Sequence, residues 1–164
     1  MLLRIADWSF DVDLALNMDI SARQAKEHCL CGYCRNYYRS LDLYYPDIRP
    51  FLANFGIDPE GPDELSPFEP TIYEASYIVN GRILELGQKQ LFVDGVPVRI
   101  LSDHEADMDT ERPEPYFVLL IGLMELPWML DEPADEVISP ANEPAYMDRM
   151  REKLMLRMQE TDIS

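Results

Sequence analysis

The stretch Thr71-Ile72-Tyr73-Glu74-Ala75-Ser76-Tyr77-Ile78-Val79-Asn80-Gly81-Arg82-Ile83-Leu84-Glu85-Leu86 decides the fold class. Thr71 to Val79 is rich in β-branched and aromatic residues, Asn80-Gly81 follows, and Arg82 to Leu86 resumes the apolar pattern. That order is the signature of a strand, a type I′ turn and a second strand. Gly87-Gln88 separates it from Leu91-Phe92-Val93, after which Asp94-Gly95 and Val96 to Leu101 repeat the device. Two such turns predict an antiparallel meander, with Pro97 placing the fourth strand at an edge or starting it later, because proline cannot donate to a ladder. Tyr116 to Gly122 is a continuous apolar run that reads as a strand buried on both faces, which brings the expected sheet to about four to six strands.

Toward the N-terminus, Trp8, Phe10, Val12, Leu14 and Leu16 recur at even spacing against Asp7, Ser9, Asp11 and Asp13, the pattern of one half-buried strand. Ser21 with Gln24 three residues on reads as a capping box, opening a short helix from Ala22 to about His28. Tyr33, Tyr37, Leu41 and Tyr44 follow helical spacing and predict a second helix to about Leu43. A third runs from an Asp47 N-cap to Phe55, stopped by Gly56. The proline-rich acidic segment Asp58 to Pro67 reads as a surface connection between this helical part, about 21–56, and the sheet part, about 71–122. Beyond the sheet, Trp128 in Leu126-Pro127-Trp128-Met129-Leu130 is expected to dock on the core. Asn142 is expected to cap an amphipathic helix over about 143–160, with Met147, Met150, Leu154 and Met158 as its apolar stripe. The expectation is therefore one α+β domain over 1–164.

A chain of 164 residues that is 47% hydrophobic, with 9 Tyr, 6 Phe and 2 Trp, has the means to build a core. It begins without the apolar run of a signal peptide and carries no stretch of membrane-spanning length, and three clustered cysteines do not make a secreted disulfide framework. A reducing cytoplasm is the expected location. The net charge of −17 argues against binding of nucleic-acid or membrane phosphates through clustered cations. From Asp103 to Asp148, thirteen acids stand against Arg112 alone. That asymmetry suits a basic protein partner or mimicry of a nucleic acid, or serves solubility.

Chemistry concentrates in Glu27-His28-Cys29-Leu30-Cys31-Gly32-Tyr33-Cys34, which holds all three cysteines and one of the two histidines. Thiolate and imidazole are ligands for zinc or an iron–sulfur cluster, and a tight turn at Gly32 would let Cys29, Cys31, Cys34 and His28 converge. The same residues also read as a packed helix junction, since cysteine often serves as a small buried hydrophobe, and no second ligand pair exists beyond the distant His104. Cys31-Gly32-Tyr33-Cys34 resembles the spacing of dithiol oxidoreductases. It follows a helix signal rather than a strand, so that chemistry is not carried over.

Two further clusters bear on function. Alternate acids over Asp103 to Glu111 resemble calcium ligands but lack the glycine and terminal glutamate of an EF-hand loop, and read as a solvated loop. Tyr33, Tyr37, Tyr38, Tyr44 and Tyr45, interleaved with Arg35, Arg39 and Arg49, offer either core packing or, through Tyr33, Arg35, Tyr37 and Arg39 together with Trp128, a partner-binding face. No phosphate cradle, nucleophile elbow or H-E-x-x-H pair is present. The function expected from the sequence is that of a small acidic, non-enzymatic protein of the neutraliser, immunity or adaptor kind, monomeric or homodimeric. A zinc, iron–sulfur or thiol-redox protein centred on the cysteines is the alternative.

Overall fold

The computed structural model describes residues 1–69, 71–88, 90–134, 151, 152 and 155. It shows a mixed α+β fold in which residues 1–134, as far as described, form four helices and a seven-stranded, wholly antiparallel sheet. Elements run β1 (Leu2–Ile5), β2 (Trp8–Val12), α1 (Leu14–Lys26), α2 (Gly32–Tyr44), α3 (Ile48–Ala53), β3 (Glu64–Glu69), β4 (Ile72–Glu85), β5 (Gln90–Val93), β6 (Val96–Ser102), α4 (Asp103–Ala106) and β7 (Tyr116–Glu125). The sheet order is β1-β2-β4-β7-β6-β5, with β3 also on β4.

The Asn80-Gly81 hairpin does not form, because β4 passes straight through it. Gly81 has φ +148° and lies so close to β2 that an added Cβ would sit 2.3 Å from the Asp11 carbonyl oxygen. The glycine thus permits close backbone approach inside a strand, the other use of an intrastrand glycine. β4 consequently pairs along its first half with β3 and β7 and along its second half with β2. The second turn does form: Asp94 and Gly95 have φ +54° and +76° and join β5 to β6. The expected meander is therefore confined to β5-β6-β7, and β7 returns to lie beside β4, as in a Greek key. Pro97 faces Phe92 of β5, while the ladder with β7 starts at Val98, so the missing donor falls where β6 has one partner.

The expected N-terminal strand is a hairpin. Ala6, at φ +52°, turns the chain so that Ile5 opposes Trp8, and Trp8, Phe10 and Val12 form the buried face that the alternation predicted. Leu14 and Leu16 already belong to α1, which Asp13 caps by accepting from Leu16 N–H at 3.2 Å. Ser21 is therefore no cap. It sits buried mid-helix, and its hydroxyl accepts the Asp58 N–H at 2.6 Å. The segment after α3 is not a surface connection either, since Pro59 and Gly61 are buried and β3 begins at Glu64. An added Cβ on Gly61 would lie 3.0 Å from Ser21 O, which shows how tightly the segment packs on α1.

The helical face Tyr33, Tyr37, Leu41 is buried against the sheet as its spacing predicts, together with Ile48, Leu52 and Phe55. Phe10, Phe55 and Phe117 meet at centroid distances of 5.0 to 6.1 Å, each burial contributing about 1.5–3 kcal/mol. The Tyr37 and Tyr77 hydroxyls pair at 2.6 Å, and Tyr77 O–H donates to Pro59 O. Phe117 to Ile121 are all buried, as expected of a strand covered on both faces.

Between β3 and β2, the edge of β4 opposite β7 has a stretch with no strand beside it, and side chains complete its hydrogen bonding. Asp63 accepts from Ile78 N–H at 2.7 Å, and Asn17 bonds both the N–H and the carbonyl of Asn80. The expected C-terminal helix and its methionine stripe lie outside the described residues, apart from Arg151, Glu152 and Met155. No helix among the described residues is long and apolar enough to cross a membrane.

Candidate metal centre

α2 is fixed from both sides before its first turn reaches the cysteines. Its inner face carries Tyr33 and Tyr37 into the core, and Asn36, fully buried, donates to Tyr73 Oη and Pro127 O and accepts from Met129 N–H at 2.7 Å. Gly32 is the first residue of the helix rather than a separate turn. Cys31 is the N-cap in extended conformation, and Cys34 lies in the opening turn, half-buried. Leu30 O accepts from Arg35 Nε at 2.8 Å, holding the preceding loop back over the helix. Cys29 Sγ accepts the Cys31 N–H at 3.4 Å.

These constraints bring Cys29, Cys31 and Cys34 together, with the three Sγ atoms within 4.8 Å of one another. Tetrahedral zinc with Zn–S bonds of about 2.3 Å needs its sulfurs about 3.8 Å apart, so a contraction of at most about an ångström would complete the geometry. The group is close enough to hold a metal ion, and among the described residues it is the group of three or more His, Cys, Asp or Glu side chains that converges in this way. Two thiols are exposed at the N-terminus of a thirteen-residue helix, whose dipole favours thiolate charge. The Cys31 N–H hydrogen bond lowers the Cys29 thiol below its ordinary value, whereas burial first, then Cys31, pushes the Cys34 thiol up.

His28 is not in this group. Its ring stacks on Tyr38 at 4.3 Å between centroids and 7° between planes, and its Nδ1 is buried without a hydrogen-bond partner. A cavity of about 440 Å³ adjoins the cluster and is lined by the three cysteines, His28, Tyr38 and the acids Glu27 and Glu60 among others. Glu60 was not a candidate in the sequence, because only the packing of Gly61 on α1 brings its segment here. Tyr38 could have been found from its place four residues after Cys34 on one helix face.

No family model, curated protein or solved structure matches the chain.

The other sequence candidates separate. Tyr33 and Tyr37 are buried in the core and are not available as a partner surface, which corrects that expectation for both. Trp128 is half-buried against Tyr33 and donates to Glu132 O at 2.7 Å, while Arg35 forms an ion pair with Glu132, and Arg39 is exposed. Exposed His104 lies in α4, outside the cluster. The alternate acids form no converging group: Ser102 and Glu105 make a reciprocal capping box that opens α4, and Asp107 ends it at φ +46°. Arg112 turns inward, its side chain 5% exposed, donating to Asn80 Oδ1 at 2.9 Å and lying 3.9 Å from Asp63.

Proposed function

We propose that the chain binds a thiophilic metal ion, zinc foremost, through the thiolates of Cys29, Cys31 and Cys34, in a reducing, cytoplasmic setting that keeps them free. The observation that carries this reading is the mutual approach of the three Sγ atoms within 4.8 Å at the start of α2. Thiolates select zinc, Cu(I) and iron–sulfur clusters among biological metals. Iron–sulfur clusters take four cysteines, and the chain has three, which favours zinc. Zinc titrated into reduced protein against a colorimetric chelator should bind at one equivalent, and Cys29→Ser/Cys31→Ser/Cys34→Ser should lose it while keeping the circular dichroism of the parent. A reduced, folded protein that leaves zinc with a micromolar chelator would overturn the reading.

One observation favours a second reading, an acidic surface that docks a basic protein. With Arg112 turned inward, the exposed Glu105, Asp107, Asp109, Glu111 and Glu114 have no lysine or other arginine beside them in this segment. Complementary charge of this kind sets association rate more than affinity. A cognate basic partner should associate more slowly as salt rises, and a salt-independent rate would refute the idea.

A further inference from the structure

We propose that His28 supplies the fourth donor, through Nδ1, to the metal held by Cys29, Cys31 and Cys34, so that the centre is a closed Cys₃His site that ties the end of α1 to the start of α2. This rests on the metal-binding reading of the cluster. Three cysteines leave tetrahedral zinc one ligand short, and closed structural sites use four protein ligands, Cys₃His among them. His28 Nδ1 is the one buried side-chain nitrogen or oxygen among the described residues without a hydrogen-bond partner. Such an atom needs an explanation, and a metal ion that it ligates is one. His28 precedes Cys29 directly, lies in the loop between α1 and α2, and lines the same cavity as the three thiols.

Charge selects the histidine over its acidic neighbours. Zinc with three thiolates carries one net negative charge, and a carboxylate from Glu27 or Glu60 on the cavity wall would add a second, whereas imidazole adds none. Metal on Nδ1 puts the remaining ring proton on Nε2. The ring reaches the metal by leaving its stack on Tyr38, a side-chain rotation within a loop. The site then has no open position, and its role is to fix a helix junction rather than to activate a substrate.

Cobalt(II) substitution tests this. The full-length reduced protein should develop sulfur-to-cobalt charge-transfer bands and visible ligand-field bands that added imidazole leaves unchanged. In His28→Ala, cobalt should bind at least tenfold more weakly, with displaced ligand-field bands, and imidazole at millimolar concentration should restore the parent spectrum. His28→Phe, which keeps a ring for the Tyr38 stack but offers no donor atom, separates loss of a ligand from loss of the stack: it should resemble the alanine variant in its spectrum. Identical spectra and affinity in parent and His28→Ala, or a parent spectrum that itself responds to imidazole, would overturn the fourth-ligand assignment alone. Failure of the parent to form any charge-transfer band would overturn the metal centre, and this inference with it.

Discussion

Replacing Gly81 tests the least expected feature of the fold, the passage of β4 through a sequence that reads as a turn. In Gly81→Ala the backbone at φ +148° lies in a region essentially restricted to glycine, where another residue costs about 1–3 kcal/mol. The new Cβ would meet the Asp11 carbonyl oxygen at 2.3 Å and Val12 Cα at 3.0 Å, both backbone atoms that no side-chain rotation can move aside. β2 must therefore retreat, weakening the Asp11↔Arg82 and Val12↔Gly81 pairings, at a net cost of about 0.5–1.5 kcal/mol for each hydrogen bond lost. The expected destabilisation is about 3–5 kcal/mol, or roughly 6–20 °C in Tm for a chain of this size.

Gly95→Ala is the internal control, with φ +76° but no atom within 4 Å of its Cβ, so it bears only the left-handed penalty of about 1–2 kcal/mol. Gly81→Asn adds a second discrimination. Asparagine is tolerated at the positive φ of a type I′ turn, yet in a strand it carries the same Cβ into Asp11. Urea unfolding followed by fluorescence of Trp8, which is buried in β2, reads all three variants. Gly81→Ala costing no more than Gly95→Ala, or Gly81→Asn matching the parent, would refute the continuous strand.

Three other perturbations follow from the same structure. Asp63→Ala removes the acceptor for Ile78 N–H and Gln24 Nε2 and leaves the Arg112 cation buried, so chemical denaturation should show a loss of about 3–5 kcal/mol, and a loss under 1.5 kcal/mol would contradict the assigned role. Asn17→Leu, at a fully buried site, strands the N–H of Asn80 and takes one of two donors from its carbonyl, which keeps the Asp13 N–H, and should cost about 1–3 kcal/mol by the same measurement, with tolerance refuting the bridge to β4. Burial pushes the Tyr73 hydroxyl up to about 12 and those of Tyr37 and Tyr77 above their ordinary value. The folded state thus holds protons that the unfolded chain releases near pH 10. Stability is full below that pH and should fall as pH rises above it, with phenolate absorbance of the buried set appearing together with loss of the far-ultraviolet signal; smooth titration of all nine tyrosines near pH 10 without unfolding would refute their burial.

The candidate centre was half legible. Its three cysteines are neighbours in sequence, and helical spacing correctly placed Tyr33 and Tyr37 on one face of α2, but spacing alone left that face either core or partner surface. The convergence of the thiols depends on the angle at which the loop after α1 returns over α2, set by contacts such as Arg35 to Leu30 O. Glu60 enters the neighbouring cavity only because Gly61 packs on α1, a contact across 37 to 40 residues of chain that no local pattern encodes.

Local chemistry determined the mixed α+β class, the buried faces of β2 and α2, the Asp94-Gly95 turn and the doubly buried β7, because side-chain periodicity and turn residues act within a few positions. Tertiary structure decided what local chemistry left degenerate. An Asn-Gly pair can reverse a chain or let two backbones touch, and a Ser-x-x-Gln can start a helix or lie inside one. The side with more burial prevails: keeping β4 straight joins β2 and β7 to one strand and lets Phe10 and Phe117 close on Phe55, which a hairpin at Asn80-Gly81 would have separated. Burial of that aromatic group contributes about 1.5–3 kcal/mol for each ring.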